Sequence, residues 1–252
     1  MAGTGPAQSV QSVDRALELL AAVASSDHAP SVAELAEACG LNRSTSWRLL
    51  ATLEAHGMVE RDPHRGGYRV GYGALRLGAA ADVDSVVRRV RPELERLSAE
   101  VGETVSLALV KSASLVYVDH VSVNGVAYQP WVQDRISLHS TSSGKAFLAW
   151  LSDAEREGAL PRVLDRFTEN TITDRARLDA ELERARGIGY AECAGEDAAF
   201  TNGVSAAALD ARRRPIAVVN VWGPERRIPV ERFPELGAAV RESARRVAGL
   251  LA

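Results

Sequence analysis

The stretch SVAELAEACGLNRSTSWRLLATLEAHGMVER, residues 31–61, contains two short helical patterns joined by a tight turn. Ser31 with Glu34 three residues later forms a capping box, which predicts the start of the first helix. The Gly-Leu pair at 40–41 predicts the turn, and Asn42 predicts the cap of the second helix. Two short helices joined in this way are typical of a helix-turn-helix.

The helix that follows Asn42 is expected to run to Gly57 and to pack its apolar side chains inward. Those expected in the core are Trp47, Leu49, Leu50 and Leu53. A further amphipathic helix is predicted upstream, with Ser12 capping its first turn. Its apolar stripe consists of Val13, Ala16, Leu17, Leu20 and Val23.

Alternating patterns at residues 58–61 and 68–70, separated by a Gly-rich turn, predict a two-stranded hairpin after these helices. Three helices followed by a hairpin predict a winged helix-turn-helix over residues 10–73. Residues 1–9, which include two glycines and a proline, are predicted to be a disordered tail.

The remainder of the chain predicts a helical connector and a second domain. The connector spans 74–101, with its apolar stripe broken near 79–81, and residues 74–89 are assigned to the linker. Strand and helix patterns alternate through residues 90–252, so the predicted fold class is α+β. Predicted strands are 104–110, 115–121, 126–131, 204–209 and 216–222, and predicted helices follow Ser142 and span 173–187 and 234–251.

Charge is distributed unevenly along the chain. The formal net charge of the 252 residues is −3, so the whole molecule has no general attraction for polyanions. Residues 42–76 nevertheless contain six arginines against three acidic residues. Any binding of nucleic acid must therefore use this local basic region.

A helix-turn-helix places the start of its second helix in the major groove of DNA. The polar residues at that start, Asn42, Arg43, Ser44, Thr45 and Arg48, are therefore predicted to contact DNA. Arg65 at the tip of the hairpin is predicted to contact the DNA backbone or the minor groove. The alternative is a dimerisation module in a ligand sensor that does not bind DNA, with these arginines forming a solvated face.

The sequence lacks the signals that are typical of membrane proteins, disulfide-rich proteins and metal-binding proteins. No window approaches the ~20 apolar residues of a membrane span, so a cytoplasmic protein without membrane contact is predicted. The two cysteines are too few for a disulfide framework. The five histidines lack metal-binding spacing, and we expect no metal and no cofactor.

Several segments together resemble the IclR family of bacterial transcriptional regulators over nearly the whole chain. They are SVDRALELLAAVA (12–24), the stretch 31–61, YRVGYGALRLG (68–78), SLHSTSSGKAFLAW (137–150), NTITDRARLDAELERARGIGYA (170–191) and PIAVVNVWGPERRI (215–228). The resemblance implies a GAF-like effector-binding domain after the winged domain. It also implies binding of double-stranded operator DNA, modulation by a small-molecule effector, and assembly as a homodimer or homotetramer.

Ser142, Ser143 and Gly144 lead a predicted helix, whose free amides and positive end would attract a carboxylate. The resemblance places these three residues in the effector pocket. It also places Glu196, Asn220 and Trp222 there, and alternation puts the last two on one strand face. The resemblance further implies an organic acid or an aromatic metabolite as the effector.

Ser142 and Lys145 also match the serine-x-x-lysine pattern of acyl-transfer enzymes, in which lysine activates the serine. The companion Ser-Asp-Asn and Lys-Thr-Gly segments of those enzymes are missing from this sequence. Acyl transfer at Ser142 is thus the weaker alternative, and we expect the protein not to be an enzyme.

Overall fold

The computed structural model describes residues 10–26, 28–63, 66–79, 83–111, 114–122 and 136–251. The chain divides into two compact units between residues 82 and 83, inside the predicted linker 74–89. The predicted tail 1–9 and the predicted strand 126–131 lie outside the described residues.

The first unit is the predicted winged helix-turn-helix. Its elements are α1 (Gln11–Ala24), α2 (Val32–Ala38), α3 (Arg43–Ala55), β1 (Val59–Arg61), β2 (Tyr68–Val70) and α4 (Tyr72–Ala79). The two strands pair antiparallel, with Val59 opposite Val70. Three helices and a hairpin thus follow in the predicted order.

The caps predicted for α2 and α3 are confirmed. Ser31 accepts a hydrogen bond from the Glu34 amide, and the Glu34 side chain accepts one from the Ser31 amide, which completes the capping box. Asn42 caps α3 by accepting a hydrogen bond from the Thr45 amide. Gly40 adopts a φ of 62° in the turn between the helices, a conformation that glycine enters without steric cost.

The start and inward face of α1 differ from the prediction. The helix begins at Gln11, after Val10 and without a side-chain cap, so Ser12 is not its cap. Val13 and Leu17 are 53% and 56% exposed. The core of this unit contains Leu19, Val23, Leu35, Leu50, Leu53, Val59 and Tyr68. Helix α1 packs inward through Leu19 and Val23. Leu17 is two residues from Leu19, which is about 200° around the helix, so its side chain faces away from the core.

The prediction that Trp47 is a core residue is wrong, because its side chain is 53% exposed. Helix α3 instead buries Ser46, Leu50 and Leu53. These positions recur at four and three residues and so share one face. Trp47 follows Ser46 by one residue and is therefore rotated about 100° from the centre of that face.

The second unit is built on a five-stranded sheet in the order β4-β3-β7-β6-β5, with every pairing antiparallel. Its strands are β3 (Thr104–Lys111), β4 (Ser114–Val121), β5 (Ala191–Ala194), β6 (Thr201–Leu209) and β7 (Pro215–Pro224). Its helices are α5 (Val83–Val101), α6 (Ser142–Leu148), α7 (Asp153–Ala159), α8 (Arg175–Ile188) and α9 (Phe233–Leu251), with a 3-10 turn at Val230–Arg232. The predicted connector corresponds to two helices, α4 and α5, and sequence patterns did not predict α7 or β5.

Both faces of the sheet are covered. Helices α5 and α9 form one core with Val219 and Val221 of β7. Helices α6 and α8 form a second core with Val218 on the opposite face. Asn220 alternates with Val219 and Val221 along the strand, so its side chain lies on the opposite face, where it contacts Ser142 of α6.

Across the described ranges, no helix is both long enough and apolar enough to cross a membrane.

Candidate functional site

Helix α3 exposes a surface formed by Arg43, Ser44, Trp47 and Arg48, which is called the α3 face below. Arg43 and Trp47, like Ser44 and Arg48, are four residues apart and therefore lie on neighbouring turns of one side. Within the described part of the chain, no ion pair involves Arg43 or Arg48. The two guanidinium groups are thus available to an external anion or base edge.

Asn42 and Thr45, also predicted to contact DNA, belong to the helix cap. The Asn42 Oδ1 atom accepts hydrogen bonds from the Thr45 amide at 2.8 Å and from Ser44 Oγ at 2.9 Å. This side chain fixes the start of α3 and so orients the α3 face. Arg65, predicted at the hairpin tip, lies outside the described residues.

Two other arginines of the basic region have internal partners. Arg61 lies 3.5 Å from Glu54, and its guanidinium sits 5.2 Å from the centre of the Tyr68 ring. Arg69 pairs with the buried Asp62 at 2.5 Å. The α3 face therefore contains two arginines of this region whose charge no described acidic side chain neutralises.

In the second unit, five neutral side chains bond to one another where α6 meets the sheet. This group, the buried polar cluster, consists of Tyr117, Ser142, Ser143, Ser205 and Asn220. Ser142 Oγ donates to Asn220 Oδ1 at 3.3 Å, and Ser205 Oγ lies 2.9 Å from the same oxygen. Asn220 Nδ2 donates to the Tyr117 hydroxyl at 3.2 Å, and that hydroxyl lies 3.0 Å from Ser143 Oγ.

The buried polar cluster carries no charge at physiological pH. Serine and asparagine are neutral, and burial raises the pKa of Tyr117 to about 12. The cluster therefore offers hydroxyl and amide groups, which can exchange hydrogen bonds with a neutral polar ligand. It supplies no cation that would stabilise a carboxylate.

Gly144 has a packing role at the start of α6. A Cβ atom at this position would lie 2.3 Å from the Leu138 backbone, so only glycine allows this approach. The Gly144 amide donates to Thr141 Oγ1 at 2.9 Å, which caps the helix. One of the three amides predicted to attract a carboxylate is therefore occupied by a protein oxygen.

Trp222 lies beside the cluster on β7, two residues after Asn220. Its Nε1 atom donates to Ser106 Oγ at 2.9 Å, and its ring is partly exposed. The indole thus adds an aromatic surface at the margin of the cluster.

Glu196 does not belong to the buried polar cluster. Its carboxylate forms an ion pair with Lys145. Lys145 Nζ is fully buried and lies 2.7 Å from Glu196 Oε1, with Glu181 at 3.6 Å. Burial raises the pKa of Glu196, and the nearby ammonium opposes that shift. Glu196 also lines a cleft of about 490 Å³, whereas Ser142, Ser143 and Asn220 are not among its lining residues.

This pair also bears on the acyl-transfer hypothesis. A lysine that activates serine must be able to accept a proton from it. The Lys145 ammonium instead donates to Glu196, and Ser142 donates to Asn220. Lys145 thus makes a structural hydrogen bond to Glu196.

Tyr117 and Ser205 are members of the cluster that sequence reasoning missed. Ser205 is a polar residue within the small apolar run of β6, which is a signal that could have been used. Tyr117 sits in a strand with little alternation in burial, and no local pattern distinguishes it. Among the described residues, no group of three His, Cys, Asp or Glu side chains could hold a metal ion.

Comparisons with known proteins agree for both units. The family model described as "IclR helix-turn-helix domain" matches residues 12–63, and "Bacterial transcriptional regulator IclR C-terminal" matches residues 78–248. The transcriptional repressor IclR of Escherichia coli K12 is 31% identical over 250 residues, covering 97% of this chain and 91% of that protein.

Two solved structures have the same architecture. The Thermotoga maritima IclR is 27% identical, with a TM-score of 0.62 and coverage of 96% of this chain and 98% of the other. An IclR homolog from Microbacterium hydrocarbonoxydans, complexed with 4-hydroxybenzoate, is 22% identical, with a TM-score of 0.60 and coverage of 95% and 98%.

Proposed function

The chain belongs to the IclR family of bacterial transcriptional regulators, and from that membership we propose that it binds operator DNA through the α3 face. The observation that carries this proposal is the pair of exposed arginines, Arg43 and Arg48, which have no ion pair in the described part of the chain. An arginine on a recognition helix can bind guanine through two hydrogen bonds. Ser44, exposed between them, can donate to a phosphate or a base.

In this proposal Asn42 and Thr45 act by holding α3 in place, and Arg65 of the hairpin contacts the DNA backbone or minor groove. Two copies of the winged domain would bind a roughly palindromic operator, with half-sites about one helical turn apart or a multiple of it. The E. coli relative is named a repressor, and we propose repression for this chain also. Operator binding would place the protein in the cytoplasm.

We propose that the effector binds beside the buried polar cluster and that an aromatic metabolite suits this site. Trp222 offers an aromatic surface, and Tyr117, Ser143 and Asn220 offer neutral hydrogen-bonding groups. The homolog complexed with 4-hydroxybenzoate has the same fold, which is compatible with a small aromatic ligand. A hydroxyl or amide substituent would match the cluster better than a carboxylate would, because the cluster has no cation.

Assembly as a homodimer or homotetramer is also part of the proposal. Helix α1 exposes Val13 and Leu17, preceded by Val10, which is 62% exposed. Their spacing of three and four residues places them on one side of the helix. An apolar stripe of this kind is compatible with contact between two copies.

The two alternatives are less well supported. A ligand sensor that does not bind DNA gives no role to the unpaired arginines of the α3 face. Acyl transfer requires Lys145 as a base, but this ammonium is buried against Glu196. We therefore propose a regulator without catalytic activity.

The test of operator binding is selection of sites from a pool of randomised duplexes by the full-length protein. We expect one sequence to be enriched. Arg43→Ala and Arg48→Ala should each weaken binding to that sequence by about 10- to 100-fold, the loss expected for one bidentate base contact. Binding to unrelated DNA should weaken much less, because it depends on phosphate charge rather than on bases.

Arg226→Ala is a matched control, since it removes an exposed arginine from the second unit. This variant should bind the selected site as the wild type does. Absence of any enriched sequence would contradict operator binding and favour the sensor alternative. Addition of a ligand that binds the second unit should shift operator affinity by about 5- to 150-fold, and binding without any shift would contradict effector control.

A further inference from the structure

Trp47 is the one member of the α3 face that the contacts proposed above do not use. Tryptophan is normally well buried, yet this indole is 53% exposed. It lines an open cleft of about 620 Å³ with Arg43, Ser44, Arg48 and Val32 of α2. The most exposed large apolar side chain of α3 thus lines the same cleft as the two available arginines.

The ring of Trp47 has no stacking partner in the described ranges. This distinguishes it from Trp150 of the second unit, which is also partly exposed. The guanidinium groups of Arg186 and Arg213 lie 5.6 Å and 4.7 Å from the centre of the Trp150 ring. The arginines beside Trp47 do not cover its indole, so both the cations and the ring can meet the same external surface.

Duplex DNA is the partner whose chemistry fits both groups. Its phosphates and guanine edges bind Arg43 and Arg48, and the thymine C5-methyl is the apolar group that the major groove presents. A purely apolar protein partner would have to bury two guanidinium groups without compensation. The charge around Trp47 therefore favours DNA as the occupant.

We propose that Trp47 determines specificity by packing its indole against a thymine methyl, which selects a T·A pair at one position of each half-site. This inference rests on the proposed operator binding by α3. It assigns to Trp47 a role in sequence choice, in addition to the guanine contacts of the arginines.

The test is a methyl-deletion scan of the selected operator. Each thymine is replaced in turn by deoxyuridine, which keeps Watson–Crick pairing and lacks only the methyl group. The Kd of the wild-type protein is measured for each duplex by fluorescence anisotropy. We expect one position per half-site at which uracil weakens binding by about three- to tenfold, as the loss of one buried methyl contact predicts.

The same scan with Trp47→Ala identifies the residue that makes the contact. At the sensitive position, this variant should bind the thymine and uracil duplexes with the same Kd. In a new selection, it should also enrich sites that are degenerate at that position. Trp47→Phe retains an aromatic ring and should retain part of the preference for thymine.

Phe200→Ala is the control for nonspecific loss of an exposed aromatic ring, since Phe200 is 73% exposed and lies in the second unit, away from the α3 face. It should leave the ratio of thymine to uracil affinities unchanged at every position. The inference is overturned if no thymine of the operator is sensitive to uracil in the wild type. It is also overturned if Trp47→Ala keeps the sensitivity, or if it weakens all duplexes equally, as loss of a protein contact would.

These results separate the two proposals. If the protein enriches an operator but neither uracil nor Trp47→Ala changes the Kd for any duplex, the role of Trp47 is refuted and operator binding is not. A protein that enriches no sequence refutes operator binding itself, and the inference falls with it.

Discussion

The α3 face and the buried polar cluster use polar side chains in opposite ways. On α3, Arg43 and Arg48 point to solvent with no ion pair in the described ranges. In the sheet, Ser142, Ser205 and Asn220 are buried and bond to one another. A surface that binds a large external partner can leave its polar groups to water, whereas polar groups inside a core must be satisfied internally.

This difference implies that substitutions in the two regions should have different consequences. Changes at the α3 face should alter binding with little effect on folding, because exposed side chains contribute little to stability. Changes in or near the cluster should alter folding, because each removed partner leaves a buried group unsatisfied. Stability measurements can therefore test the comparison directly.

The largest effect is expected for Lys145→Ala. This substitution removes the buried ammonium and leaves Glu196 without its partner at 2.7 Å. Breaking a buried ion pair in this way should lower the free energy of unfolding by about 3–5 kcal/mol. Urea unfolding of the full-length chain, followed by circular dichroism, measures the change.

Arg48→Ala is the corresponding variant from the α3 face and should change the free energy of unfolding by about 0.5 kcal/mol or less. The double variant Lys145→Met with Glu196→Gln should recover part of the stability lost in Lys145→Ala, because no unpaired charge remains. Equal stability losses in Lys145→Ala and Arg48→Ala would remove the proposed distinction between the regions.

Asn220→Ala should give the next largest loss of stability. The side chain accepts from Ser142 and Ser205 and donates to Tyr117. Its removal takes one hydrogen-bond partner from each of these three groups, which keep the Ser205–Ser142, Ser205–Ser143 and Tyr117–Ser143 contacts, and should cost about 1–3 kcal/mol. Urea unfolding measures this loss. The change in operator affinity on addition of a ligand is measured separately, to test the effector site.

Asn42→Gly is the matched asparagine change in the first unit. Because Asn42 only caps the exposed start of α3, and glycine is tolerated at that position, this variant should lose no more than a few tenths of a kcal/mol. A larger loss for Asn42→Gly than for Asn220→Ala would show that the cluster is not the more constrained of the two regions.

The local signals at helix starts explain which parts of the fold the sequence could predict. The caps at Ser31 and Asn42 depend on side chains within three residues, and both are confirmed. The core position of Trp47 depends on how α3 packs against other elements, and Ser46 occupies the buried position beside it. The Ser46 hydroxyl donates to the Asn42 carbonyl oxygen at 3.1 Å, so this polar group is satisfied in the core.

Tertiary packing also limited the prediction of the candidate effector site. Alternation predicted that Asn220 lies on the strand face opposite Val219 and Val221, and in the structure that side chain contacts Ser142 of α6. The partners Tyr117 and Ser205 are 103 and 15 residues away from it in sequence, so no local spacing joins them. The conformational role of Gly144 likewise arises from contact with the Leu138 backbone, which spacing alone does not predict.

The smallest expected effect is on how the free energy of unfolding depends on pH. It is tested by comparing two capping boxes, one in each unit. Ser152 and Glu155 form the box of α7, as Ser31 and Glu34 do in α2. The Arg214 side chain adds an ion pair to Glu155 and lowers its pKa from 4.5 to about 2. Hydrogen bonds from Ser31 lower the pKa of Glu34, which has no arginine partner among the described residues.

A carboxyl whose pKa is lowered by folding stabilises the native state above its ordinary pKa, and this contribution disappears as pH falls through the folded-state value. The contribution of Glu155 should therefore be complete above about pH 4.5 and be lost progressively towards about pH 2. Glu155→Gln cannot titrate, so the free energy of unfolding of this variant should depend less steeply on pH across that interval than that of the wild type. Urea unfolding at a series of pH values measures the slope. Glu34→Gln should flatten it less, because Glu34 pairs with one nitrogen of the exposed His28, whereas Arg214 bonds to both carboxylate oxygens of Glu155. An equal flattening would contradict the role of Arg214.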